Sequence, residues 1–289
     1  RSYAGGTEIL STHRKVLKNG LTVLATPMPE SPMVSVYGLV KTGSASEGEY
    51  LGAGLSHFME HMLFKGTERR GVGDIASEIQ SLGGTINAGT HFDYTIYTLT
   101  VPAAHFQQAA DILSDMLMHP AFDPQEIEKE REVVFNEIRM YHDQPDRYLT
   151  KIMFQTVYRA HPYRIPIIGF EELLRPLARD DFLSYYKRHY APNNMVVAVA
   201  GGVSSDEAVN VIEKFFGDYP PGSFTLRAVP SEPRQITERV VEEYYPTDLI
   251  RVSAAYAGVD ILNPDMAALD ALAMILGQGR GSRLYVALV

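Results

Sequence analysis

Three residues in the stretch Gly54-Leu55-Ser56-His57-Phe58-Met59-Glu60-His61-Met62-Leu63-Phe64 have the types and the spacing of a metal-dependent hydrolase. His57, Glu60 and His61 stand at i, i+3 and i+4, so a helix places them on one face within one turn. Two imidazoles stacked in this way can hold one metal ion. The carboxylate between them can then take a proton from water held at that ion, the arrangement of zinc hydrolases with the inverted His-x-x-Glu-His pattern. The bland account is a solvated polar face. Against it stand the apolar flanks Leu55, Met59, Met62 and Leu63, which bury one side of the helix and make an unpaired Glu60 charge costly.

A catalytic zinc takes three protein ligands and keeps one position open. None of the 289 residues is a cysteine, so the third ligand must be His, Asp or Glu. The best donor helix is the one opened by Asp123-Pro124-Gln125-Glu126, with a capping Asp, Pro at the first helical position and Glu three residues after the cap. On it Glu130 and Glu137 are seven residues, or two turns, apart and face the same way. One of them could ligate the metal while the other orients an imidazole from behind. Without the demand for a third ligand, a Glu-rich solvated helix would account for both. His91, His105, His119, His142, His161 and His189 read as structural or solvated, and Gly277 to Gly281 lacks the Lys-Ser/Thr of a phosphate loop.

The elements that must position these residues are legible from periodicity. Leu21 to Ala25, Met33 to Val40 and Met195 to Ala200 read as strands, and so does the whole of Thr85 to Val101, which alternates as a partly exposed antiparallel strand would. Helices are expected over the motif as far as Gly66, and over 74–82, 106–117, 123–141, 147–158, 180–190 and 205–216. Residues 1–12 read as a loose lead-in. The expected fold class is α+β, a mostly antiparallel sheet with helices packed on one face. The proline-rich stretch gives a linker at 226–238 between a catalytic domain over 13–225 and a second domain that begins at 239. There, Val240 to Tyr245 and Leu249 to Tyr256 resemble strands and Met266 to Leu276 a helix. That order repeats the one around the motif, which suggests an internal duplication whose second copy lacks the metal residues. An uncapped apolar run over Leu284 to Val289 reads as a truncation point.

A hydrophobic content of 45% suits a sizeable core, and a formal net charge of −9 argues against nucleic-acid binding. No apolar run reaches the length of a membrane span, and no cleavable signal pattern is visible.

Five segments, taken in order, resemble one family: Gly20-Leu21-Thr22-Val23, Gly54 to Met62, Gly83-Gly84-Thr85-Ile86-Asn87-Ala88, Glu130-Arg131-Glu132-Val133-Val134 and His161-Pro162-Tyr163. They resemble the inverted-zincin peptidases that include pitrilysin, insulin-degrading enzyme and the catalytic subunit of the mitochondrial processing peptidase. The resemblance implies a zinc endopeptidase with one Zn²⁺ per chain, held by His57, His61 and Glu137. It makes Glu60 the general base, Glu130 the residue behind a ligand, and Asn87 and Ala88 part of an edge strand that a peptide substrate extends. It also implies a duplicated processing-peptidase-like fold, and a C-terminal half or homologous partner chain closing a chamber. A soluble protein of the bacterial cytoplasm or periplasm is expected rather than one of the mitochondrial matrix. The competing expectation is a non-catalytic subunit of the same fold, or a piece inactive without its other half.

Overall fold

The computed structural model describes residues 11–223 and 229–289. Residues 1–10 of the expected lead-in and 226–228 of the expected linker lie outside the described residues. The chain divides into two compact units, one ending at Leu249 and the other spanning Ile250–Val289.

In the first unit six strands form one sheet: β1 (His13–Val16), β2 (Thr22–Pro27), β3 (Met33–Val40), β4 (Thr85–Thr90), β5 (Thr95–Pro102) and β6 (Met195–Gly201). Their spatial order is β1-β2-β6-β3-β5-β4, and all neighbours run antiparallel except β2 and β6. The two-residue alternation of β-branched and aromatic residues gives the sheet one buried face. Val34, Val36 and Val40, Tyr97, Leu99 and Val101, and Val197 and Val199 are all buried, whereas Tyr37 on the opposite face is 41% exposed. Val36 is in register with both Leu99 and Val199, so these side chains form a continuous apolar layer across three strands.

Among the described residues of this unit there are eight α-helices: α1 (Leu55–Leu63), α2 (Asp74–Ser81), α3 (Phe106–Met118), α4 (Pro124–Asp143), α5 (Pro145–Val157), α6 (Glu171–Leu174), α7 (Arg179–His189) and α8 (Ser205–Phe216). Helix α3 lies directly on the buried face. A Cβ at Gly38 would sit 2.8 Å from Leu117 Cδ1. The fold is α+β, with helices on one face of a mostly antiparallel sheet, as the sequence predicts.

The strand expectations change in several places. Thr85 to Val101 is a hairpin, turning where the His91 N–H donates to Tyr94 O at 2.8 Å. A single strand of that length would run about 55 Å, far beyond its eight-residue neighbour β3, so it folds back and pairs with itself. Strand β1 was not expected, because His13-Arg14-Lys15-Val16 carries charge rather than apolar alternation; it is an edge strand, where such residues are tolerated.

Val240 to Tyr245 and Leu249 to Tyr256 form no strand. A strand needs a ladder partner for its backbone groups, and among the described residues neither stretch forms part of a ladder. Residues 232–245 are held by side-chain bonds instead: Glu232 accepts the N–H groups of Arg159, Ala160 and His161, and Arg239 donates to the carbonyls of Thr156 and Val157. The second unit contains α9 (Met266–Gly277), where a helix is expected, and α10 (Arg283–Leu288), capped by Ser282. Among the described residues, no helix is long and apolar enough to cross a membrane.

Candidate metal centre

Helix α1 presents the motif because its apolar residues recur at helical spacing. Leu55, Phe58, Met59 and Met62 are fully buried, which leaves His57, Glu60 and His61 on the other side, partly exposed. Phe58 stacks on Phe182 of α7 at 4.6 Å, and the Ser56 hydroxyl lies 2.7 Å from the Tyr185 hydroxyl. The helix starts at Gly54, whose φ is +69°, and a Cβ there would lie 2.3 Å from the Ile168 carbonyl oxygen. Glycine is therefore required twice over at this position.

No side chain of the cap residue itself caps α1. The buried Glu47 does so from the preceding loop: Oε2 accepts the Gly54 N–H at 3.1 Å and Oε1 the Ser56 N–H at 2.9 Å. Burial pushes its carboxyl up to about 8, against the pull of the hydrogen bonds from Ser56 and Gly54.

Helix α4 starts as its sequence predicts, with Asp123 accepting from the N–H groups of Gln125 and Glu126. The Glu126 side chain does not return the favour but pairs with Lys129. Val134, Phe135 and Ile138 are buried, and Arg131 donates to the carbonyls of Leu174 and Leu177 at 2.7 and 2.8 Å. This seating brings Glu130 and Glu137 to α1.

Three atoms then converge. His57 Nε2 and His61 Nε2 are 3.2 Å apart, and Glu137 Oε2 lies 3.7 Å from the first and 3.5 Å from the second. Ligand bonds of 2.0–2.2 Å in a tetrahedron give ligand-to-ligand edges of about 3.3–3.6 Å, so the spacing fits a zinc ion. Glu130 is behind His61: the His61 Nδ1–H donates to Glu130 Oε1 at 2.7 Å, which turns the Nε2 lone pair toward the other two atoms. The other oxygen of Glu130 pairs with Lys65 at 2.5 Å.

The electrostatics favour a cation. Burial and then the neighbouring His61 push the His57 imidazole down to about 3, so it is neutral, as a metal ligand must be. Burial alone would lower His61 too, but its bond to Glu130 and the charges of Glu137, Glu130 and Glu60 outweigh it and raise the imidazole above its ordinary value. Lys65 and His61 hold Glu130 below the usual range despite its burial. Three carboxylates thus act on His61, while the one ammonium, that of Lys65, pairs with Glu130. The fit has one unmet demand: His57 Nδ1 is buried with no partner among the described residues.

Glu60 does not join the three converging atoms. Its Oε2 accepts a 2.6 Å hydrogen bond from the Thr90 hydroxyl, at the end of β4. Asn87 and Ala88 lie on that same strand, whose outer rim pairs with no other strand among the described residues. A cavity of about 550 Å³ adjoins the centre, lined by His57, Glu137 and Thr90 together with Phe92, Phe154 and Tyr163.

Sequence reasoning missed Glu47, Thr90 and Lys65. Lys65 follows His61 by four residues, a spacing that could have flagged it. Glu47 and Thr90 carry no such signal, since each reaches the motif from a separate element.

Residues 22–171 match the insulinase model of peptidase family M16, and residues 176–289 match the model of the M16 inactive domain. The uncharacterized zinc protease YmxG of Bacillus subtilis is 32% identical over 272 residues, covering 94% of this chain and 65% of its own length. The probable mitochondrial-processing peptidase subunit beta of Arabidopsis thaliana is 30% identical over 289 residues, covering 95% of this chain and 54% of its own. This chain therefore spans less than two thirds of either relative. The crystal structure of a protease from Helicobacter pylori superposes with a TM-score of 0.84 at 28% identity, over 97% of this chain and 68% of that one.

Proposed function

The chain belongs to peptidase family M16, the insulinase family, and from that we propose that it is a zinc-dependent endopeptidase acting on extended peptides or unfolded protein segments. The observation that carries this reading is the convergence of His57, His61 and Glu137 within ligand distance of one another, beside a carboxylate and an open strand edge.

His57, His61 and Glu137 would hold the zinc, which supplies a Lewis acid that polarises a carbonyl and makes water acidic. Glu130 holds His61 in the tautomer that ligation needs. Glu60 takes the proton of the attacking water and returns it to the leaving amine. The Thr90 bond engages one of its oxygens and leaves the other for this exchange. Asn87 and Ala88 offer backbone groups on the rim of β4, to which an extended peptide can add as a further strand. Such addition demands an unfolded or extended substrate.

In this reading residues 13–225 form the catalytic domain, 226–238 the linker and 239–289 the start of a second, homologous domain. A C-terminal half or a homologous partner chain closes the chamber, in keeping with the greater length of the relatives. The test is Glu60→Gln in the full-length protein. We expect close to one zinc per chain with peptide cleavage lost; undiminished cleavage would overturn the mechanism. Zinc far below one per chain in the unaltered protein would point instead to a non-catalytic subunit.

A further inference from the structure

The cavity beside the centre is cationic, although the chain as a whole has a formal net charge of −9. Arg147, Lys151 and Arg164 line it, against the single carboxylate of Glu137, which the zinc would neutralise further. Arg147 and Lys151 are four residues apart on α5 and so share a face.

Neither is fully compensated. Arg147 lies over the Tyr141 ring and Lys151 over the Tyr148 ring, each at 5.6 Å, and neither forms an ion pair among the described residues. Arg164, by contrast, is engaged by the Arg159 carbonyl at 3.0 Å. The acidic groups that act on Lys151 are Glu243 and Glu172. The Glu243 carboxylate is occupied by the Tyr148 hydroxyl at 2.5 Å. Burial lowers the half-buried Lys151 ammonium below its usual range, and these two glutamates offset that only in part. An ammonium that has lost water without gaining an anion carries a desolvation cost that an arriving carboxylate relieves. Phe92, Phe154 and Ile165 supply apolar walls beside the two charges.

We propose that this cavity receives an acidic side chain of the substrate, so that peptides with Asp or Glu close to the scissile bond are preferred and Arg147 and Lys151 set that preference. The proposal rests on the peptidase reading and adds the substrate class. A carboxylate could also come from a peptide's own C-terminus; the side chain is favoured here because an endopeptidase acts within a chain.

The experiment compares the zinc-loaded full-length protein on peptide pairs, acetylated and amidated at their ends, that differ only in Glu or Gln at one position within four residues of the cleaved bond. At one position the Glu peptide should show about tenfold higher kcat/KM, as one partly shielded contact at Lys151 and one exposed contact at Arg147 provide, and the ratio should shrink with added salt. The double variant Arg147→Glu/Lys151→Glu should transfer the preference to Lys. If that variant does not fold, Arg147→Gln and Lys151→Gln should each reduce the ratio. Equal cleavage of Glu and Gln peptides at every position, a ratio insensitive to these variants, or selectivity seen only with free C-termini would overturn the proposal while leaving the peptidase reading intact. If no peptide is cleaved, the peptidase reading fails, and the pocket is judged by binding of the same pairs to the zinc-loaded Glu60→Gln protein. There, about tenfold tighter binding of a Glu peptide supports the proposal, and equal affinity overturns it.

Discussion

The Thr90 hydroxyl donates to Glu60 Oε2 at 2.6 Å, which ties the carboxylate of the motif helix to the end of the edge strand. The residue proposed to move the proton and the strand proposed to present the peptide are thereby fixed to each other. Thr90→Val keeps the shape and removes the donor. A hydrogen bond to a charged group contributes about 1.5–3 kcal/mol, so kcat should fall about tenfold or more while zinc content stays unchanged. Steady-state kinetics with metal analysis checks this, and an unaltered kcat would show that the bond does not position Glu60.

Glu130 and Glu137 look alike in sequence but should respond differently to substitution. Glu137→Gln removes one of the three converging ligand atoms and should abolish tight zinc binding. Glu130→Gln leaves all three and removes the carboxylate behind His61, so the affinity should weaken by about 10- to 100-fold. Competitive zinc titration of the two variants measures this. A larger loss for Glu130→Gln than for Glu137→Gln would reverse the assignment.

Zinc should stabilise the fold as well as equip it. The ion binds the assembled site and not the unfolded chain, so zinc at a thousandfold excess over its Kd adds about 4 kcal/mol. Chelation should lower the melting midpoint and zinc should restore it, in Glu60→Gln as well as in the unaltered protein. A midpoint indifferent to zinc, read by calorimetry, would contradict the site.

Glu47 gives a pH dependence whose sign can be stated. Its pKa is raised in the folded state from 4.5 to about 8, so the folded chain holds this proton more tightly than the unfolded one. The resulting stability is fully present below about pH 4.5 and is lost as pH rises through about 8, on the order of 5 kcal/mol in total. Glu47→Gln cannot titrate. The stability of the unaltered protein relative to this variant should fall between pH 5 and pH 8.5 in urea unfolding, and a rise over that interval would be the wrong sign.

How much of this the sequence determined by itself depends on how local each signal is. The His57, Glu60 and His61 face, the apolar face opposite and the Asp123 cap are all set within one or two helical turns, where 3.6-residue periodicity and capping chemistry operate. The strands β3 and β6 are legible because one face of the sheet is buried, and that burial writes an alternation into the chain. Only the tertiary structure decided how Thr85 to Val101 folds back and that Val240 to Tyr245 and Leu249 to Tyr256 form no strand, because a ladder depends on distant partners. Residue spacing left Glu130 and Glu137 interchangeable and only the family resemblance told them apart; the fold sets Glu137 against the two imidazoles with Glu130 behind one of them. It alone brought in Glu47 from a loop, Thr90 from an edge strand, and Arg147 and Lys151 from α5. A side chain that reaches a site from another element leaves no periodic trace in its own neighbourhood, so packing, not pattern, assigns it.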